Sequence, residues 1–167
     1  EFCVARIPDV VPKPDSISFE EAASIPLAGM TAFQALKKSG LKEGDSIFIS
    51  GGAGGVGTIA IQLAKHVFKA HLVVTTASKG EKMDMCKELG ADVVIDYNAQ
   101  NFVELYSNDD GKKFDVCFDT TDESLDMTKV VKPGGSVVTI AGTPTLDEIR
   151  RIGGTAWILK LVLKRLP

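Results

Sequence analysis

The sequence predicts an α/β protein built on a doubly wound parallel sheet. Three observations carry that expectation. From Ser46 onward, short apolar runs alternate with helical patterns. Those runs are too evenly apolar to face water on one side, so both faces of the sheet must be covered. A glycine-rich loop, Ser50-Gly51-Gly52-Ala53-Gly54-Gly55-Val56-Gly57, joins the first apolar run to the first helix after it.

Before that alternation begins, residues 1–14 read as extended chain with Pro8, Pro12 and Pro14. Ser18-Phe19-Glu20-Glu21 has capping-box spacing, so a short helix starts there and Pro26 stops it. A second helix is expected over 28–39, ended by Gly40. Strands are then expected at 46–50, 72–76, 93–95, 114–119 and 136–140, with helices at 56–66, 79–89, 101–107 and 124–131. Gly90 closes the helix over 79–89, and Pro133-Gly134-Gly135 the last one. Residues 153–166 read as a helix with Lys160 and Lys164 on one stripe and apolar residues over most of the rest. A helix so apolar needs more than one packing partner, and a membrane surface is the lesser alternative. The expected organisation is therefore a linker and short helix over 1–26, a dinucleotide-binding domain over 27–152 and an apolar helix over 153–167.

Bulk properties exclude several function classes. The chain has 167 residues, 44% of them hydrophobic and 25% charged, which suits one domain with a substantial core. A formal net charge of -3 gives no electrostatic footprint for nucleic acid. Cys3, Cys86 and Cys117 are scattered without a CxxC pair, which favours a reducing compartment, no disulfide frame and three small buried hydrophobes. No signal peptide is visible, and no apolar run reaches the ~20 residues of a membrane span. The expected location is the cytoplasm, with an organelle as the alternative.

The glycine loop carries the chemistry. Gly52, Gly54 and Gly57 occupy the glycines of a G-x-G-x-x-G pattern, after a strand and at the start of a helix. In that Rossmann context the glycines let the backbone turn tightly and approach a pyrophosphate, which the helix N-terminus then attracts. NAD sites place Asp or Glu about 20 residues further on, to hold a ribose hydroxyl. Here the second strand runs into Thr75-Thr76-Ala77-Ser78-Lys79, with no carboxylate until Glu81. Ser78 offers a hydrogen bond and Lys79 a positive charge, both suited to a 2′-phosphate, so the expected cofactor is NADP(H). Ser78 also fits a simple helix cap. His66 and His71 fall at the opposite end of the strands and are expected on the surface. Asp119, Asp122 and Glu123 cluster after the fourth strand, but with no His or Cys nearby they read as a solvated loop, not a metal site.

Several segments together resemble a known family. They are Glu20-Glu21-Ala22-Ala23-Ser24-Ile25-Pro26-Leu27-Ala28-Gly29-Met30-Thr31-Ala32-Phe33-Gln34-Ala35-Leu36, the loop Ala53-Gly54-Gly55-Val56-Gly57 with Gln62-Leu63-Ala64-Lys65, Leu89-Gly90-Ala91-Asp92 with Ile95-Asp96-Tyr97, and Pro133-Gly134-Gly135. The chain resembles the medium-chain dehydrogenases/reductases, in the zinc-independent quinone oxidoreductase branch. That resemblance implies roles. Thr31 would lie near the nicotinamide end. Gly54, Gly55 and Val56 would offer backbone N–H groups to the pyrophosphate. Tyr97 would join Ser78 and Lys79 around the 2′-phosphate, and Thr120, Ala141 and Gly142 would line the adenosine and nicotinamide course. It also implies an N-terminal β-rich domain and a sixth strand in a 3-2-1-4-5-6 sheet, neither of which is expected within this chain. The fifth strand would then be an exposed edge.

For the whole protein the resemblance implies hydride transfer from NADPH to a quinone or enone, in a homodimer, with most of the acceptor pocket supplied by the N-terminal domain, so no catalytic residue is named in this chain. An enoyl-thioester reductase is the nearest rival. A non-catalytic NADPH-binding module is the alternative from another class.

Overall fold

The structure, a computed structural model, describes residues 4–142 and the backbone of 157–160. Ser18 opens the first long helix, α1 (Phe19–Ser39), with a full capping box. Its Oγ accepts the Glu21 N–H at 3.1 Å, and the Glu21 carboxylate accepts the Ser18 N–H at 2.7 Å. The two helices expected on either side of Pro26 are one helix of 21 residues. Pro26 removes one i→i−4 bond in a stretch that faces water, where solvent can satisfy the freed carbonyl. Further along, Ala32, Ala35 and Leu36 are fully buried and hold the helix on the sheet, so packing overrides the break. The expected boundary at 26/27 is thus crossed by continuous helix.

Strands β1 (Ser46–Ile49), β2 (Leu72–Ala77), β3 (Val93–Asp96), β4 (Phe114–Asp119) and β5 (Val131–Thr139) all pair in parallel. Their crossovers carry α2 (Gly55–Gln62), α3 (Glu81–Glu88), α4 (Phe102–Tyr106) and α5 (Ser124–Val130). Alternate residues of each strand feed two cores. Ile47, Ile49, Val73, Val116, Phe118 and Val138 pack with α1, α2 and α3 through Leu36, Ile61 and Cys86. Phe48, Val74, Cys117 and Val137 pack with α4 and α5 through Phe102, Met127 and Val130. Phe48 stacks on Phe102 at 4.6 Å and meets Phe114 at 5.5 Å. Each such fully buried side chain contributes about 1.5–3 kcal/mol of transfer free energy. The expected doubly wound sheet with both faces covered is what forms.

Two segments differ from expectation. Pro133-Gly134-Gly135 was expected to end a helix, but it lies inside β5 as a bulge. The register jumps from Phe114–Val131 to Val116–Ser136, and a Cβ on Gly135 would sit 2.7 Å from the Asp115 carbonyl oxygen. In the tail, 157–160 is a strand and not helix. This β6 (Trp157–Lys160) pairs in parallel with β5, completing the order β3-β2-β1-β4-β5-β6. Trp-Ile-Leu is strand-favouring, and the free edge of β5 supplies its hydrogen-bond partners. The sixth strand expected to be missing is therefore present, and β5 is not an edge. The remainder of the expected tail helix, like Cys3, lies outside the described residues.

At the N-terminal ends of the strands, Asp115 binds three elements together. It accepts the Ser46 N–H at 2.8 Å, the Ser46 hydroxyl at 2.7 Å and the Lys132 ammonium at 2.8 Å. Partial burial alone would raise its pKa. The Lys132 ammonium and the two Ser46 donors outweigh that and hold the carboxyl below its ordinary value. A group with a depressed folded pKa stabilises above its unfolded pKa and loses that contribution as pH falls through the folded value. Asp115→Asn is expected to lower stability by about 1 kcal/mol at neutral pH, a modest figure because solvent screens the pair. In urea unfolding followed across acid pH, the gap between the two proteins should close below the ordinary carboxylate range. A gap that persists unchanged would exclude the ion pair as its source.

Candidate cofactor site

Parallel pairing brings the loops after β1 to β5 to one end of the sheet, and the glycine loop sits at the centre of that end. Gly51 donates to Thr76 Oγ1 at 3.0 Å, and Gly52 donates to the Thr76 carbonyl at 2.9 Å, so the loop is tied to β2. Gly52 packs on the Thr75 side chain and Gly57 on the Gly51–Gly52 backbone, with no room for a Cβ at either place. These close approaches are what the G-x-G-x-x-G spacing predicts. The Gly54 N–H donates to the Gly51 carbonyl at 3.0 Å, so it is not free for a ligand as expected. Gly55 and Val56 begin α2, which has no side-chain cap, so the helix start leaves its first N–H groups without side-chain partners.

A cleft of about 380 Å³ opens beside this loop. It is lined by Gly51, Ala53 and Gly54 from the loop, Thr76, Ala77 and Ser78 from the end of β2, Lys82 from α3, Tyr97 after β3, and Thr120 and Thr121 after β4. Its lining contains a lysine, several hydroxyls and no carboxylate. A second hollow of about 370 Å³ shares Thr76 and Tyr97 with it and lies towards α4 and α5, but Glu104, Glu123 and Asp126 make its lining acidic. The cleft beside the glycine loop therefore suits an anionic ligand that meets Ser78, Lys82 and Tyr97.

The structure sorts the expected residues. Ala53, Gly54, Ser78, Tyr97 and Thr120 line the cleft; Gly52 and Gly57 shape the loop from inside. Thr31 lies half-buried in α1, and Ala141 and Gly142 follow β5, none of them lining the cleft. Lys79 is exposed and outside the cleft lining, whereas Lys82 is part of it. The cause is that α3 starts at Glu81 after Gly80, two residues later than expected, so its first turn presents Lys82. Ser78 does not cap this helix; the cap position belongs to Gly80 and carries no side-chain bond. Lys82 was legible in principle, because Gly80 marks the break before the helix. Thr121 was also missed and carried no signal of its own. His66 and His71 are exposed as expected, with His71 Nδ1 2.7 Å from the Gly44 carbonyl oxygen. The expected solvated cluster fails at Asp119, which is completely buried.

A doubly wound sheet with a glycine loop at its first crossover and a carboxylate-free cleft beside it defines a nucleotide-cofactor domain of the dehydrogenase type. The chain belongs to the zinc-binding dehydrogenase family, whose pattern matches residues 55–160. It is 49% identical over 138 residues to a 2-methylene-furan-3-one reductase of Solanum lycopersicum, covering 83% of this chain and 34% of that protein. It is 44% identical over 138 residues to an NADPH-dependent alkenal/one oxidoreductase, chloroplastic, of Arabidopsis thaliana, with the same 83% and 34% coverage. Among solved structures, an Escherichia coli quinone oxidoreductase complexed with NADPH superposes with a TM-score of 0.71 at 28% identity, covering 87% of this chain and 47% of that one. The chain thus spans about a third of the length of the two plant relatives. The expected resemblance to the quinone oxidoreductase branch of the medium-chain dehydrogenases/reductases holds.

The family's name raises the question of zinc. Among the described residues no group of three or more His, Cys, Asp and Glu side chains could hold a metal. Cys86 and Cys117 are buried free thiols in different cores, and burial raises the pKa of both. The described residues do not fit a zinc ion. No helix among them is long and apolar enough to cross a membrane.

Proposed function

We propose that this chain is the cofactor-holding portion of an NADPH-dependent reductase that delivers hydride to a conjugated carbonyl, a quinone or an enone. The observation that carries the reading is the cleft with Ser78, Lys82 and Tyr97 at one end and no carboxylate in its lining. A ribose hydroxyl would call for an acid there, and a 2′-phosphate calls for a cation and hydroxyls. The names of the two plant relatives, an NADPH-dependent alkenal/one oxidoreductase among them, support the acceptor class.

In this reading the first-turn N–H groups of Gly55 and Val56 bind the pyrophosphate, with Gly52, Ala53, Gly54 and Gly57 shaping the loop around it. Ser78, Lys82 and Tyr97 hold the 2′-phosphate, with Lys79 adding only distant charge. Thr120 lies along the middle of the course, and Thr31, Ala141 and Gly142 at its nicotinamide end. Bound NADPH supplies the hydride. The chain's own residues bind and orient, and the buried floor of the site excludes water. The dinucleotide-binding domain of this reading takes in α1 and all six strands, wider at both ends than the expected 27–152, in a cytoplasmic homodimer.

The test uses the full-length protein. NADPH oxidation is followed with panels of quinones, enones and enoyl thioesters, and repeated with NADH. Quinones or enones should be reduced with NADPH favoured over NADH by at least about tenfold in kcat/KM, the equivalent of one charge-assisted hydrogen bond. Faster turnover of enoyl thioesters would move the assignment to that rival. NADPH binding without turnover of any acceptor would mark a non-catalytic module.

A further inference from the structure

Asp119 closes β4 with a fully buried side chain, and no Lys, Arg or His pairs with it among the described residues. A buried carboxylate needs hydrogen bonds to replace its lost water. Oδ1 accepts the Ser50 hydroxyl at 3.3 Å, the Thr121 N–H at 3.0 Å and the Glu123 N–H at 3.0 Å. Oδ2 accepts the Thr139 hydroxyl at 2.8 Å. The donors come from three places: Ser50 where the glycine loop begins, the loop after β4, and the end of β5. Two of them pass the constraint on. Ser50 Oγ accepts the Thr120 N–H at 2.9 Å, and Thr139 Oγ1 accepts the Ala141 N–H at 3.1 Å. Between them Asp122 is held at φ 69°, a conformation non-glycine residues rarely adopt, with its carboxylate packed against Gly142.

The structure assigns Asp119 as a positioning residue for the cofactor: its buried carboxylate clamps Ser50, the 120–123 loop and the Thr139–Ala141 turn together. The clamp fixes the pyrophosphate loop against the turn that leads to the nicotinamide end. It has no bond to Ser78, Lys82 or Tyr97, which come from other elements. This rests on the reading that the cleft holds NADP(H).

The asymmetry supplies the test. Dissociation constants for NADPH and for adenosine 2′-monophosphate are measured on Asp119→Leu and Asp119→Asn, with urea unfolding to confirm that each is folded. Asn keeps an acceptor at Oδ1 for the two loop N–H groups. Its Nδ2 can donate to Thr139, whose hydroxyl then turns to the Ala141 carbonyl. Asp119→Asn should stay within about threefold of the native protein for both ligands, since the links to Ser50, the loop N–H groups and Thr139 are all kept. Asp119→Leu should weaken NADPH by about 30-fold or more and the monophosphate by less than about threefold.

Equal losses for both ligands would show a merely structural role and overturn the assignment. So would an unchanged NADPH affinity in folded Asp119→Leu. If that variant does not fold, Thr139→Val removes the link from Asp119 to β5 together with the Thr139 hydroxyl's bond to the Ala141 N–H, and should show the same split at about tenfold; no split there overturns the inference. Failure of the native protein to bind either ligand would instead refute the NADP(H) reading, and the inference with it.

Discussion

Lys82→Ala is expected to weaken NADPH binding by about 10- to 100-fold, the range of one charge-assisted hydrogen bond to phosphate. NADH binding should change by less than about twofold, because NADH has no 2′-phosphate for the ammonium to meet. Lys82 lines the cleft together with Ser78 and Tyr97, and no ion pair holds it elsewhere among the described residues. Lys79→Ala is the informative control. It is exposed and away from the cleft lining, so it should lower NADPH affinity only slightly, and that small effect should vanish as salt rises. Titration of both dinucleotides against the two variants decides the matter. An equal loss of NADPH and NADH in Lys82→Ala would remove the phosphate contact. A larger loss in Lys79→Ala would restore the residue that the sequence alone had favoured.

The contrast between those lysines shows what the sequence could carry. The first four strands match expectation to within one residue, because short runs rich in Val, Ile and Phe stand between turn residues, and the single Asp115 inside β4 does not break its run. The glycine loop was legible because its spacing encodes close backbone contacts that only glycine permits. Three features were not legible, each for a different reason. Pro26 reads locally as a stop, but the burial of Ala32, Ala35 and Leu36 outweighs one lost hydrogen bond. Pro133-Gly134-Gly135 reads as a turn, and the same residues serve a bulge when a parallel neighbour is already in place. Asp119 reads as a solvated acid at a loop because its two hydroxyl donors, Ser50 and Thr139, lie 69 and 20 residues away along the chain, and the nearby Thr121 and Glu123 N–H groups that complete its shell are backbone and leave no mark on the sequence. A buried carboxylate satisfied by distant hydroxyls leaves no local pattern. Lys82 is the intermediate case: placing it required only the correct first residue of a helix, and helix ends are where propensity is weakest.

Gly57→Ala is expected to destabilise the protein by about 1–2 kcal/mol and to weaken NADPH binding by at least about tenfold. Two effects oppose each other. Alanine in place of glycine within a helix favours folding by about 1 kcal/mol. Against that, the new Cβ would overlap the Gly51 carbonyl oxygen and sit 2.8 Å from Gly52 Cα, and both are backbone atoms that cannot rotate away. The loop resists yielding because Gly51 and Gly52 are bonded to Thr76. The helix resists backing off because Ala60 and Ile61 are fully buried against the sheet. Overpacking of this kind costs about 1–3 kcal/mol, and a displaced loop bond adds about 1 kcal/mol, so the steric term wins. Gly55→Ala reverses the balance, since nothing lies within 4 Å of a Cβ built there and φ is not positive. It should leave stability unchanged or raise it by up to about 1 kcal/mol. Urea midpoints of the two variants, which differ by two positions in one helix, should therefore diverge, with Gly57→Ala falling and Gly55→Ala holding or rising. Shifts of the same sign and size would mean that helix propensity alone governs this segment and that the close approach of Gly57 to the loop does not constrain it.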